Sequence, residues 1–241
     1  LIIAIAASEL GKAVSKETRV DILVTPLVTI FSGVGLSMLI AAPIGAAASQ
    51  VGTLIMWATE QAPLVMGILV SVIVGVALTL PISSAAICAA LGLTGLAGGA
   101  AVAGCCAQMI GFAVMSYKEN GVGGLVSQGL GTSMLQMGNI VKNPRIWIAP
   151  TLASAITGPL ATCVFHFEMN GAAVSSGMGT CGLVGQIGVY TGWVSDIAAG
   201  VKTAITPMDW AAMVLLCFVL PAVLSVIFCE IERKMGWIKE G

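Results

Sequence analysis

Long apolar runs separated by short polar breaks organise the chain. Residues 20–46, 63–80, 146–165 and 207–229 each read as a membrane pass, being about long enough to cross a bilayer as helix. Pro26 and Pro43 lie near the two ends of the first run, where a proline ring and its missing N–H kink or stop a helix. Pro81 stops the second run, and Pro221 is an internal kink in the last. Residues 82–117 are rich in small side chains and are longer than one pass but short for two, so the pattern predicts a half-helix followed by a full pass. Gly95, Gly98 and Gly99 within it predict close helix packing inside a bundle. Two further stretches, 121–138 and 171–192, are glycine-rich, interspersed with Ser, Thr and Gln, and free of charge. Their composition is that of re-entrant or discontinuous backbone lining a cavity. The apolar runs do not alternate as barrel strands do. The predicted fold is therefore all-α: a polytopic integral membrane helical bundle with re-entrant or discontinuous glycine-rich segments. Counting passes from both ends gives consistent sidedness only if one glycine-rich segment returns to its own side.

Composition sharpens this picture. Of 241 residues 58% are hydrophobic and 9% charged, with a mean hydropathy of +1.03. Soluble domains carry about 25% charged residues, so these values define an integral membrane protein. The formal charge of −1 supplies no basic field for nucleic acid, and no Lys/Arg cluster has the density of a phosphate-tracking groove. The seven cysteines lie in or beside apolar runs without a CxxC pair, which predicts small apolar helix residues rather than a zinc site. No metal site and no cofactor is expected. The positive-inside rule assigns the Ser8–Arg19 stretch and the 230–241 tail to the cytoplasm. The chain opens in apolar sequence without an initiator Met, so the reading is a single transmembrane domain over 1–241 that lacks N-terminal helices.

Candidate chemistry concentrates after the 146–165 run. It ends in His166, the single histidine, two residues before Glu168, followed by Asn170. A carboxylate at the end of a membrane pass must be compensated by hydrogen-bond partners, and it can accept two hydroxyl donors from a sugar. Residues i and i+2 point to different helix faces, so His166 and Glu168 meet one solute only if the helix has already ended. Ser175, Ser176, Thr180 and Gln186 offer neutral donors and acceptors, as do Gln128, Thr132, Ser133, Gln136 and Asn139 from the other glycine-rich stretch. Each can equally satisfy helix ends or neighbouring backbone. Asn143 is the expected cap of a helix starting at Pro144, and Trp147 belongs to an interfacial belt.

At Asn143-Pro144-Arg145-Ile146-Trp147, at 153–159 and at the GMGTCGLVGQ of 177–186, the chain resembles the membrane subunit IIC of the bacterial phosphotransferase system. Within it, the closest style is the perfringolysin-regulator branch. The resemblance implies a homodimer in the cytoplasmic membrane that binds a sugar or small polar solute, with lipid around it and a separate IIB protein as phosphoryl donor. It also implies a His and Glu beside a substrate hydroxyl, for which His166 and Glu168 are the match. The alternatives are a non-transporting sensor using the same pocket, and an ion-coupled porter with Glu168 or Glu60 as coupling carboxylate.

Overall fold

The computed structural model describes residues 2–15 and 218 further residues from 21 to 238. Lys16, Glu17 and Arg19 of the charged N-terminal stretch, and the last three residues of the tail, lie outside the described residues. Compact units are formed by Leu1–Gln50 and Val51–Gly241.

In the first unit, α1 (Ile2–Val14) lies antiparallel to the first part of α2 (Asp21–Gln61). Small residues one turn apart make the contact: Ala7 packs on Gly33, and Gly11 on Thr29. This is the small-xxx-small geometry by which membrane helices approach closely. The charged positions Ser8–Lys12 are helical, with Lys12 donating to Glu9 at 2.7 Å. One expectation changes here: α2 does not stop at Pro43 but runs on to Gln61. Proline removes one backbone bond, a smaller cost in apolar surroundings than breaking the helix and stranding several polar groups.

The second unit is a bundle around α5 (Gly95–Met115), of which 89% of an 18-residue apolar window is buried. Among the described residues, it is with Pro144–Val164 and Pro207–Lys234 one of three helices long and apolar enough to cross a membrane. α3 (Pro63–Thr79) runs parallel to α5, Ser71 meeting Gly104 and Thr79 meeting Gln108. The half-helix α4 (Ser84–Leu91) then returns to the start of α5. The 144–164 span comprises a 3-10 turn, α8 (Ile148–Pro159) and a π-turn, Leu160–Val164, and runs antiparallel. Its Thr157–Thr162 end faces Gly67 and Pro63 of α3. Asn143 caps it, accepting from Arg145 N at 3.3 Å. The 207–234 span comprises α10 (Pro207–Val214), a π-turn Leu215–Val219 and a final helix, and is again parallel to α5, with Ser225 on Gly111 and Arg233 on the Met115 carbonyl. The wide turn just before Pro221 takes up the ring where an N–H is missing. The final helix continues to Lys234, so the tail's first residues, Glu230–Lys234, are helical.

Between these spans the two glycine-rich stretches fold back on themselves. After Met115 the chain runs up through α6 (Tyr117–Val126), kinked at Gly121, and a π-turn, Ser127–Gly131. It turns at Thr132 and descends through a 3-10 segment and α7 (Met137–Lys142) to the end from which it came. The second hairpin enters from the opposite end. After the turn at Phe165 and His166, the chain is pinned to the start of α5 by an antiparallel bridge, Gly95 N to Met169 O and Met169 N to Gly95 O, both 3.0 Å. The chain then descends through 3-10 turns along Leu93, Gly98 and Cys105 and reaches its tip at Thr180. It returns through α9 (Val184–Ala198). The hairpin tips touch: Thr180 Oγ1 donates to the Gly129 carbonyl at 2.5 Å. Both glycine-rich stretches return to the end of the bundle from which they came, where the count of passes asked this of one.

Candidate solute site at the ends of the bundle

Basic residues gather at the end where α5 stops. Lys118, Lys142, Arg145, Arg233 and Lys234 lie there, with ion pairs Lys118–Glu230 at 3.1 Å and Arg233–Glu119 at 2.8 Å. The other end carries Glu168, Asp196 and Asp209, with Lys202 beside them. Each end has a hollow of about 370 Å³, within the roughly 300–1,000 Å³ range of small-molecule sites.

The hollow at the acidic end is built on the point where the 144–164 span stops. The π-turn ends at Val164, and His166 takes a left-handed φ of 43° that turns the chain into extended backbone. In that conformation i and i+2 share a face. Phe167 and Met169 consequently enter the core while His166 and Glu168 both face the hollow. Phe167 is held by close approach, since a Cβ at Gly99 would strike its carbonyl oxygen. Asn170 stands behind them and its side-chain amide bridges two carboxylates, Glu168 Oε2 at 3.0 Å and Asp196 Oδ2 at 2.9 Å. Across the hollow Lys202 pairs with Asp209 at 2.7 Å and lies over the Trp193 ring, 5.2 Å from its centroid. Asp209 is fixed by a capping box with Thr206 at the start of α10. Trp193 packs edge-on against Trp210, 5.6 Å between centroids. The arrangement presents several carboxylate acceptors and one ammonium donor around an aromatic wall, a set suited to hydroxyl groups.

The remaining sequence candidates lie elsewhere. Ser176 donates to the Leu93 carbonyl at 2.6 Å, and Thr180 makes the tip contact. Ser175 packs beneath Gly188, and Gln186 donates to Cys106 Sγ at 3.2 Å; all four are buried against or near α5. Thr132 caps the following 3-10 turn through Met134 N. Ser133 joins Thr79 at 2.9 Å. Asn139, Gln136 and Gln128 form a donor relay ending on Ser116, with steps of 2.8, 2.9 and 2.9 Å, and the first two line the hollow at the basic end. Glu60 is exposed at the end of α2. The two glycine-rich stretches thus meet in packed contact at their tips; Gln136 of the first lines the basic hollow, whereas the acidic hollow is walled by residues on either side of 171–192 and by none within it.

Asp196, Lys202, Asp209 and Gln108 are not among the sequence candidates, and Trp147 has a contact beyond the interfacial role expected of it. Asp196, Lys202 and Asp209 reach the acidic hollow only because α9 returns to the end where 165–170 begins. Trp147 turns its indole inward, donating to Gln108 Oε1 at 3.0 Å, rather than serving only as a belt residue. Gln108, fully buried in α5, also donates to Thr151 at 3.2 Å and Ser154 at 3.4 Å and accepts from Thr79 at 3.3 Å. A lone charge within ten residues of a glycine-rich segment was the available signal for Asp196 and Lys202.

A bundle of membrane-crossing helices with two opposed re-entrant hairpins is an integral membrane protein of the translocator type. The family model of the phosphotransferase system EIIC matches residues 1–241, and the chain belongs to that family. It is accordingly a membrane permease component of sugar uptake, a protein of the bacterial cytoplasmic membrane. No curated protein and no solved structure matches the chain.

Proposed function

We propose that the chain binds an uncharged or amino-bearing, hydroxyl-rich solute in the hollow at the acidic end, which faces the outside, and passes it towards the basic end in the cytoplasm. The observation that carries this reading is the shared face of His166 and Glu168 on the hollow wall, with Asp196 held beside Glu168 through Asn170. Glu168 accepts substrate hydroxyls, His166 donates to or accepts from a neighbouring one, and Asn170 is a positioning residue that sets the carboxylate geometry. The three carboxylates disfavour acidic sugars by like-charge repulsion. The sidedness follows from the positive-inside rule applied to the gathered Lys and Arg residues. A separate phosphoryl-donor protein meets the basic end.

The test is a thermal-shift titration of the purified protein with neutral hexoses, hexitols, amino sugars and uronic acids, because a ligand of the native state raises apparent stability. Neutral or amino sugars are expected to stabilise and uronic acids are not. Glu168→Gln and Asn170→Ala should each weaken the response about tenfold or more, the worth of a hydrogen bond to a charged group. Wild-type affinity in both variants would move the site elsewhere.

A further inference from the structure

The two hollows are similar in size and opposite in sign. At the acidic end Glu168, Asp196 and Asp209 face Lys202; at the basic end Arg233 and Lys142 face one carboxylate, Glu119. We infer that the hollow at the basic end is a binding site for the phosphate ester of the translocated solute, with Arg233 and Lys142 as the phosphate ligands and Glu119 as the group that occupies Arg233 while the site is empty.

Arg233 is held in place from below. Its Nη2 donates to the Met115 carbonyl at the end of α5 (3.3 Å) and to Glu119 Oε1 (2.8 Å). The side chains differ in freedom: that of Arg233 is 10% exposed and that of Glu119 37%. An arriving dianion therefore displaces the carboxylate, which turns into water, while the guanidinium stays on its carbonyl. A guanidinium group takes phosphate as it takes carboxylate, through charge-assisted N–H···O bonds, so the exchange replaces the single bond to Glu119 Oε1 and raises the charge met. Lys142, at the end of α7, supplies a second cation from another wall of the hollow. The sugar portion has polar contacts available from Asn139 and Gln136, whose relay to Gln128 and Ser116 fixes their orientation, and an apolar wall in Phe112 and Ile146. The hollow's size matches a single sugar ester. Its sign makes direction: an ester formed at this end is attracted here and repelled by the carboxylates at the opposite end.

This inference rests on the reading of the acidic hollow as the point of solute uptake, and the experiment separates the two. Binding of inorganic phosphate and glucose 6-phosphate to the full chain in detergent is measured by titration calorimetry and thermal shift, at ionic strength held constant with chloride. Phosphate is expected to stabilise the wild type, Lys142→Gln and Arg233→Gln to weaken it about tenfold or more, and Glu119→Gln to tighten it by removing the competitor. Lys142 and Glu119 are exposed, so their variants report even if Arg233→Gln unfolds. No phosphate binding by the wild type, or equal phosphate affinity in the wild type, Lys142→Gln and Glu119→Gln, overturns the inference. Sugar binding that still needs Glu168 would then leave the acidic hollow standing. Phosphate binding with these signs but no sugar binding dependent on Glu168 would overturn the uptake reading and retain the anion site.

Discussion

Single glycines set how closely the bundle packs. A Cβ at Gly104 would overlap the Ser71 backbone, and one at Gly99 the Phe167 carbonyl, and neither obstacle is a flexible side-chain end. Without a hydrophobic drive between helices in lipid, such contacts carry much of the association. Gly99→Val and Gly104→Val should each cost about 1–3 kcal/mol or more from overpacking, read as a lowered unfolding midpoint in detergent. Gly123→Ala, in α6 with nothing near its added methyl, is the matched control and should be neutral or slightly stabilising. An equal loss in all three would refute the packing argument. Gly179 combines both demands: its φ is +52°, and a side chain there would press on Cys105 and Cys106.

At the scale of elements, the spans were legible and the walls of the hollows were not. Pro63 and Pro81 bracketed α3 because proline at a helix start is tolerated and one past its end is not. The small-residue stretch resolved as α4 and α5, and Asn143 capped the turn at Pro144, since these depend on neighbours in sequence. Pro43 misled because the cost of a lost backbone bond is local while the alternative, an open helix end in an apolar setting, is not visible in sequence. Asp209 is 41 residues from Glu168, and only the return of α9 and the turn into α10 bring both to one hollow. The hairpins themselves make a prediction. Thr180→Val deletes the tip bond to Gly129 without changing side-chain size much. Hydrogen exchange should quicken at both tips, near 127–133 and 177–183, while α5 stays protected. Unchanged exchange at either tip would mean that the contact does not hold the hairpins together.

For the whole molecule the sharpest prediction is sidedness. With Cys163 and Cys181 replaced by Ser to lower the background, a cysteine at Val201, which is 80% exposed, should react with an impermeant maleimide added to intact cells. One at Lys234 should react only after the membrane is opened. The reverse pattern would invert the proposed path.

The descending arm of the second hairpin hangs between two non-glycine residues at left-handed φ, His166 at 43° and Leu183 at 59°. Such a backbone costs about 1–2 kcal/mol per residue, most for a bulky side chain such as leucine. The arm that carries Glu168 is thus loaded like a bent leaf spring with both clamps in view. A guest that pulls on the carboxylate works on a segment whose two turns already stand above the backbone's preferred energy, so an alternative course of this arm starts from a smaller deficit than elsewhere in the bundle.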